Sequence, residues 1–172
     1  MKELPAFEYF FDPYGHHAFI QEDMLCDCCS AVSSYHHVAL SNLDDGDEVH
    51  ICPACVADGS AAKKFDLVFN EIDEDVSPAV RDIIEHKTPG ISSWQQQSWE
   101  VHCKDACIYL GQADAQDLEN ASHSNKALWM DDFGRSVDDW EQFIEGRPNE
   151  DFVVDKYQCR HCGETVLVYD LS

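Results

Sequence analysis

Four cysteines in the first third of the chain have the spacing of a tetrahedral metal site. Cys26 and Cys29 form one Cys-x2-Cys turn, and Cys52 and Cys55 form another, with 22 residues between the two turns. Each turn lets two thiolates converge on one ion, and a structural Zn²⁺ takes four such ligands. A hairpin fits the interval, and helical sequence follows Cys55. The order of knuckle, hairpin and helix predicts a treble-clef-like zinc site.

A second site is predicted around the knuckle formed by Cys159 and Cys162. The partners left for these two thiolates are Cys103 and Cys107, which have a Cys-x3-Cys spacing. Residues four apart lie on the same face of a helix, so we expect Cys103 and Cys107 to complete the site from one helical turn. His102 is the alternative ligand. The 51 residues between Cys107 and Cys159 then form an insert closed by metal.

The expected metal is Zn²⁺ at both sites, with iron as the alternative because four cysteines also hold iron–sulfur clusters. Sites of four cysteines are coordinatively closed, so they stabilise the fold and leave no position at which water is activated. The sequence contains no phosphate-binding loop, serine nucleophile elbow or H-E-x-x-H motif. We therefore expect no catalytic residues and no enzymatic activity. Cys28, inside the first knuckle, is interpreted as a spare buried cysteine, with a replacement ligand or a reactive thiol as the alternatives.

The segments between the cysteines predict an α+β fold of one domain, 1–172. It is expected to have two zinc-centred parts, a treble-clef-like part (about 1–75) and a helical part (about 76–172) with an acidic insert and the C-terminal knuckle. The helix that begins near Ser93 is expected to run towards Cys103. The full set of predicted elements is an extended aromatic segment at 4–14, strands at 35–40 and 48–51, helical sequence over 57–69, helices that begin at Ser77, near Ser93 and at Ser136, and a closing β-hairpin of strands 152–157 and 165–169.

The charge of the chain is strongly negative. It has 34 Asp and Glu residues against 11 Lys and Arg, which gives a formal net charge of −23, and the interval 112–151 alone contains eleven acidic residues. Such a charge repels the phosphates of nucleic acid and anionic membrane surfaces, and it attracts basic proteins. We therefore expect a basic protein partner that meets acidic surfaces at 112–151 and 44–48. A solvated surface without a partner is the alternative.

The sequence predicts an intracellular location, and this affects how its cysteines are interpreted. No apolar run has the length of a signal peptide or a membrane-spanning helix, so we expect the protein to stay in the cytoplasm. Disulfides are rare in that reducing compartment. Metal binding therefore explains the nine cysteines better than disulfides do.

Several longer runs have a family resemblance that covers nearly the whole chain. They are LPAF at 4–7, CPACVADGSAA at 52–62, TPGISSWQQ at 88–96, HCKDACIYLG at 102–111 and CRHC at 159–162. In these runs the chain resembles the CbrC family, a bacterial group associated with tolerance to a nuclease colicin. It departs from that pattern at Ser30, where a glycine is expected after the knuckle, and in the loop 120–136. Neither departure removes a proposed metal ligand.

The resemblance implies an immunity-type protein that binds or neutralises a toxin. A nuclease toxin domain is basic because it holds nucleic acid, so an acidic protein can occupy the same surface. We interpret the chain as a zinc-stabilised acidic scaffold that binds such a basic partner without contacting nucleic acid or membrane. A zinc-ribbon adaptor with another cellular role is the alternative, and an enzyme that uses Cys28 is a third hypothesis.

Overall fold

The computed structural model describes residues 4–42, 47–91, 98–146 and 152–171, which form an α+β fold, as the sequence predicts. No helix in these parts of the chain combines the length and the apolar character needed to cross a lipid bilayer. The elements in chain order are β1 (Met24–Leu25), β2 (Val32–Ser33), β3 (His37–Leu40), β4 (Glu48–Ile51), α1 (Pro53–Ala57), α2 (Ser60–Phe65), α3 (Pro78–Lys87), β5 (Val101–His102), β6 (Asp105–Ala106), β7 (Ile108–Gln112), α4 (Ala115–Glu119), α5 (His123–Phe133), α6 (Val137–Gly146), β8 (Phe152–Gln158) and β9 (Thr165–Leu171).

The first part of the structure has the order of elements predicted for a treble clef. Strands β1 and β2 pair as an antiparallel hairpin, and the first Cys-x2-Cys knuckle lies in the connection between them. Strands β3 and β4 form a second antiparallel hairpin. Helix α1 begins at Pro53, immediately after Cys52. The predicted acidic turn at 44–48 lies outside the described residues except for Asp47 and Glu48.

Helix α3 begins where the sequence predicts. The side chain of Ser77 accepts a hydrogen bond from the N–H of Val80 (3.3 Å), and Pro78 occupies the first turn, where no helical hydrogen bond needs its N–H. At the other end of the helix, the side-chain amide of Asn70 donates to the carbonyl of Thr88 (3.0 Å). Both ends of α3 are thereby satisfied and fixed against the loop that precedes it.

The prediction of a helix that runs towards Cys103 is wrong for residues 98–102, the part of that segment that the structure describes. The segment before Cys103 is strand β5, which pairs with β6 in a tight hairpin. The two turn residues, Cys103 and Lys104, have φ of 55° and 64°. Both values are left-handed, as a type I′ hairpin turn requires. The start of the predicted helix, 93–97, lies outside the described residues.

Non-local contacts explain why this segment is not helical. The N–H of Trp99 donates to the carbonyl of Glu71 (2.7 Å), and its indole Nε1–H donates to the carbonyl of Cys107 (2.8 Å). The Trp99 side chain is buried against Tyr157. Burial of a tryptophan with both donors satisfied outweighs a local helical preference, which amounts to less than about 1 kcal/mol per residue.

The C-terminal part is built on a three-stranded antiparallel sheet with β8 in its centre, between β7 and β9. The hairpin of β8 and β9 confirms the predicted closing hairpin. In β7 the register shifts between Tyr109 and Gly111. Gly111 has φ of 97°, and the ring of His16 lies where a Cβ atom on Gly111 would be. Glycine is therefore required at this bulge.

Helices α4 to α6 form a small core of their own against β8 and β9. Leu118, Trp129 and Trp140 are buried together with Val154 and Leu167. Helix α6 begins as predicted after Ser136, whose hydroxyl accepts the N–H of Asp139 (3.3 Å) while the Asp139 carboxylate accepts the N–H of Ser136 (2.8 Å). This reciprocal cap fixes the start of the helix.

The main core is aromatic and joins the N-terminal segment to the sheet. Phe7, Tyr9 and Phe10 of the predicted aromatic segment are buried in it. The N–H of Tyr109 donates to the carbonyl of Tyr9 (2.8 Å). The same core contains residues from both sides of residue 75, such as Ile51 and Tyr157. The division of the chain at about residue 75 stays a prediction.

Candidate metal centres

The first predicted site is assembled as the sequence indicates. The sulfurs of Cys26, Cys29, Cys52 and Cys55 all lie within 4.8 Å of one another. The Sγ atoms of Cys29 and Cys52 are 3.9 Å apart. A tetrahedron with metal–sulfur distances of about 2.3 Å has edges of about 3.8 Å, so this donor set fits one tetrahedral ion of the size of Zn²⁺.

The backbone around this site favours thiolate. The N–H of Cys52 donates to the Sγ atom of Cys26 (3.2 Å). Burial of Cys26 opposes ionisation, but backbone N–H groups, those of Cys52 and Cys29 foremost, lower the pKa of its thiol to about 7. Ser30, which stands where a glycine is usual, has φ of 60°. Its N–H donates to the carbonyl of Cys26 (2.7 Å), which closes the knuckle in spite of the serine side chain.

The second site is assembled from His102, Cys103, Cys159 and Cys162, whose ligand atoms also lie within 4.8 Å of one another. The Nδ1 atom of His102 is 3.3 Å from the Sγ atom of Cys103 and 3.4 Å from that of Cys162. A tetrahedral ion with one nitrogen and three sulfur ligands gives nitrogen–sulfur edges of about 3.5 Å. Cys₃His is one of the usual ligand sets of structural zinc. The geometry therefore fits a closed site.

The knuckle backbone also favours thiolate at the second site. The N–H of His161 donates to the Sγ atom of Cys159 (3.4 Å). Burial of Cys159 opposes ionisation, but the N–H groups of Cys162 and His161 lower the pKa of its thiol to about 6. Each site thus contains one thiol that ionises near neutral pH, and the thiolate is the form that binds metal.

Cys107 does not join the second site. Its side chain is fully buried, burial raises the pKa of its thiol to about 12, and it lies outside the group of converging ligand atoms. The reason is the β-hairpin, in which Cys103 lies in the turn and Cys107 follows the second strand. The segment is not a helix, so the two cysteines do not share a helix face. His102, the alternative ligand, takes its position. All the other predicted cysteine ligands lie in the two groups.

Asp105 ties the second site to the N-terminal segment. Its carboxylate accepts hydrogen bonds from the hydroxyl of Tyr9 (2.9 Å) and from Nε2 of His161 (3.0 Å). The guanidinium of Arg160 lies 3.7 Å from the same carboxylate and 2.8 Å from that of Glu8. Both residues between the cysteines of the knuckle are thereby held. No spacing pattern indicates this role, because the partners come from two segments that are both distant from Asp105 in sequence.

Cys28 lies beside the first site without joining the group of four. It is partly exposed, and its Sγ atom is 3.6 Å from the hydroxyl of Ser60. The ammonium of Lys64 donates to the carbonyls of Asp27 (2.6 Å) and Cys28 (2.9 Å). The expectation of a buried Cys28 is therefore only partly met. Lys64 thus places a positive charge on the backbone of the first knuckle.

Comparison with known proteins places the chain in a family. Residues 4–171 match the model of an uncharacterised protein family, UPF0167. The UPF0167 protein PA1536 of Pseudomonas aeruginosa is 28% identical over 178 residues, which cover 98% of this chain and 97% of that protein. The UPF0167 protein Mb2317 of Mycobacterium bovis is 31% identical over 131 residues, 74% of this chain and 70% of that protein. No solved structure matches. The chain belongs to the UPF0167 family.

Proposed function

We propose that the protein is a zinc-stabilised scaffold that binds a basic protein partner through an acidic surface. The donor sets of the two sites support zinc, since both are closed groups of cysteine or cysteine and histidine. Closed sites stabilise a fold because the metal binds the folded chain and not the unfolded one. The function is then carried by the surface that the metal sites support.

The observation that carries the proposal is the outward face of α6. Asp138, Glu141 and Glu145 are exposed and recur at intervals of three and four residues, which places them on one face. The opposite face is buried, with Trp140 fully inside and Phe143 packed against the same cluster. The face that remains for a partner is acidic.

Helices α4 and α5, which both contact α6, carry further exposed acidic side chains. They are Asp114, Glu119 and Asp131. Two cations of this region are used internally: Lys156 pairs with Asp117 (2.7 Å), and the ammonium of Lys126 lies 5.9 Å from the centre of the Trp140 ring. The hydrogen bonds of Ser136 and, to a smaller extent, the exposed Arg135 lower the pKa of the Asp139 carboxyl. Among the described residues of this region the exposed carboxylates outnumber the exposed cations, and such an excess gives a negative potential that speeds encounter with a basic protein and orients it.

The partner class that we propose is a basic nuclease toxin domain, and the resemblance to the CbrC family supports this choice. A surface that holds nucleic acid must be basic, so the acidic face of α4 to α6 can cover it. The adaptor hypothesis is the second candidate. It is favoured only by the closed metal sites, which are equally suited to any scaffold.

The test is affinity capture at low salt, with elution by rising salt and identification by mass spectrometry. Reversal of the α6 face, by D138K, E141K and E145K together, is compared with reversal of three exposed acidic residues elsewhere, by E22K, D23K and D73K. Each set changes the formal charge equally. We expect a basic protein that elutes at moderate salt and is lost only from the α6 variant.

Equal retention of that protein by both variants would contradict a specific acidic face, because a purely non-specific attraction depends on net charge alone. Loss of metal from the α6 variant would show misfolding, so the metal content of both variants is measured as a control. Failure to retain any basic protein at low salt would leave the adaptor hypothesis as the better account.

A further inference from the structure

Strand β3 has one edge that the described residues leave open. The strand pairs with β4 on its other side. His36, which directly precedes β3, exchanges two backbone hydrogen bonds with Ile20 (2.8 and 3.0 Å), so its N–H and C=O point away from β4. Backbone groups of successive residues in an antiparallel strand point to opposite sides. Those of Val38 and Leu40 therefore point to the same side as those of His36.

The opposite strand confirms this direction. Val38 faces His50 in the register of the two strands. Both backbone groups of His50 are bonded to Asp27, however. The N–H of His50 donates to the Asp27 carboxylate (2.7 Å), and the carbonyl of His50 accepts the N–H of Asp27 (2.9 Å). Val38 and His50 are thus a pair without mutual hydrogen bonds. No described residue bonds the backbone of Val38 or Leu40, so two donors and two acceptors face outward.

A groove lies along this edge. Its volume is about 480 Å³, within the range of about 300–1,000 Å³ that is usual for binding sites. The side chains of Ile20, Leu40 and Val68 line it and are 49%, 68% and 53% exposed. Exposed apolar side chains that share one groove indicate a surface that a partner covers.

Backbone hydrogen bonds limit the open stretch of the β3 edge at both ends. At one end Ile20 is already bonded to His36, and at the other the N–H of Asn42 donates to the carbonyl of Phe65 (3.3 Å). On the side away from β3 the groove is lined by residues of the segment 67–69. The open backbone groups therefore lie in a recess of limited length, which fits a single extended segment.

We propose that this groove binds an extended peptide segment of another protein, which adds as a strand to the edge of β3. In strand addition, backbone hydrogen bonds supply affinity and pockets for alternate side chains supply specificity. Here the open backbone groups of Val38 and Leu40 form the hydrogen bonds, and the apolar side chains of Ile20 and Val68 line the pockets. The segment is apolar at alternate positions and has basic flanking residues, which suit a chain of formal charge −23.

A second copy of this chain fits the groove less well. Edge-to-edge pairing of two β3 strands needs a projecting edge, whereas this edge is recessed beside 67–69. Two chains of formal charge −23 also repel each other. The residues of β3 are His-Val-Ala-Leu and include neither the lysine nor the proline with which soluble proteins protect an edge strand. An edge without such protection is consistent with a strand-like partner.

The test uses synthetic pentapeptides, short enough to lie between the occupied positions 36 and 42, in which valine or isoleucine alternates with threonine and the ends carry lysine. Binding is followed by chemical shifts and hydrogen exchange of the Val38 and Leu40 amides in the zinc-loaded full chain. We expect saturable binding by some of these peptides and slower exchange of both amides. N-methylation of those peptide nitrogens that face β3 should abolish binding, and methylation of the intervening nitrogens should not.

L40E and V68E are the test variants, and L128E and V137E are the controls, because all four side chains are at least half exposed and only the first two line the groove. We expect loss of binding in the first pair alone. Binding that is equal in all four variants, or no binding by any peptide at millimolar concentration, would overturn the proposal. Slower exchange caused by dimerisation without peptide would assign the groove to a second copy and overturn it too.

This inference is independent of the acidic face on α4 to α6. Binding in an apolar groove through backbone hydrogen bonds should lose at high salt only the part that the peptide lysines contribute, whereas binding to the acidic face should be lost. Peptide binding that persists in the variant with the reversed α6 face would separate the two sites. Failure of one experiment therefore leaves the other proposal intact.

Discussion

The Nδ1 atom of His102 lies 3.4 Å from the Sγ atom of Cys162, although 60 residues separate the two in sequence. This contact makes His102 the candidate for the fourth ligand position of the second site, because Cys107 is buried in the main core. It joins the β5–β6 hairpin to the C-terminal knuckle.

The first prediction concerns the ligand set of the second site. C107A should retain two metal ions per chain, and C159S should retain one, because only Cys159 lies among the converging ligands. Native mass spectrometry of the zinc-loaded variants counts the ions directly. H102C should keep the second ion, since four cysteines also form a closed site. Loss of an ion from C107A together with its retention in H102A would reverse the assignment.

The second prediction concerns Cys28. C28S should keep both metal ions and change the free energy of unfolding by less than about 1 kcal/mol, because a partly exposed side chain outside the ligand group contributes little. C29S is the matched variant, since it removes a ligand one residue further on and should lose the first ion. Metal counting and denaturant unfolding check both expectations. A C28S variant that loses the first ion would make Cys28 a ligand.

The first site could be predicted from sequence almost completely. Two Cys-x2-Cys turns and the interval between them describe a local geometry that a tetrahedral ion completes, and the structure brings all four sulfurs together. Ser30 adopts the left-handed backbone conformation for which glycine is usual, and the knuckle still closes. Spacing succeeds here because each pair of ligands is contiguous in the chain.

The second site could be predicted only in part. The knuckle of Cys159 and Cys162 follows from spacing, but the choice between Cys107 and His102 depended on whether the preceding segment is helix or strand. That choice is made by tertiary contacts, above all the burial of Trp99 and its hydrogen bond to the Cys107 carbonyl (2.8 Å). Sequence periodicity contains no information on a contact of that kind.

The third prediction concerns Asp105. D105A removes the acceptor of the Tyr9 hydroxyl and of His161 Nε2, so the knuckle loses its attachment to the N-terminal segment. Residues that orient a metal site from outside change metal affinity by about 10–100-fold. We expect D105A to weaken zinc at the second site by about tenfold, measured by competition with a chelator. E8Q, which removes only a partner of Arg160, is the control and should have a smaller effect.

A fourth prediction concerns Gly111. G111A places a Cβ atom on the ring of His16 and a side chain at a φ of 97°, so we expect a loss of about 1–3 kcal/mol in the free energy of unfolding. G134A is the control, because Gly134 also has positive φ but has open space around its Cα atom. Addition of H16A to G111A should recover the part of the loss that comes from the clash. No recovery would attribute the whole loss to the backbone.

The last prediction concerns the outer edge of β9, which the side chain of Asn125 covers. Its amide donates to the carbonyl of Thr165 (2.8 Å) and accepts the N–H of Leu167 (3.1 Å). Asn125 is 3% exposed, so N125A leaves both groups unpaired in a buried place, at a cost of about 1–3 kcal/mol in the free energy of unfolding. Denaturant unfolding of the zinc-loaded chain measures this loss.

Asn120 supplies the matched control for that variant. Its amide also donates to a backbone carbonyl, that of Gln116 (2.8 Å), but the residue is exposed, so N120A should change stability by less than about 0.5 kcal/mol. The exchange rate of the Leu167 amide should rise in N125A and stay constant in N120A. Equal stability of the two variants would mean that water replaces the Asn125 amide at the edge.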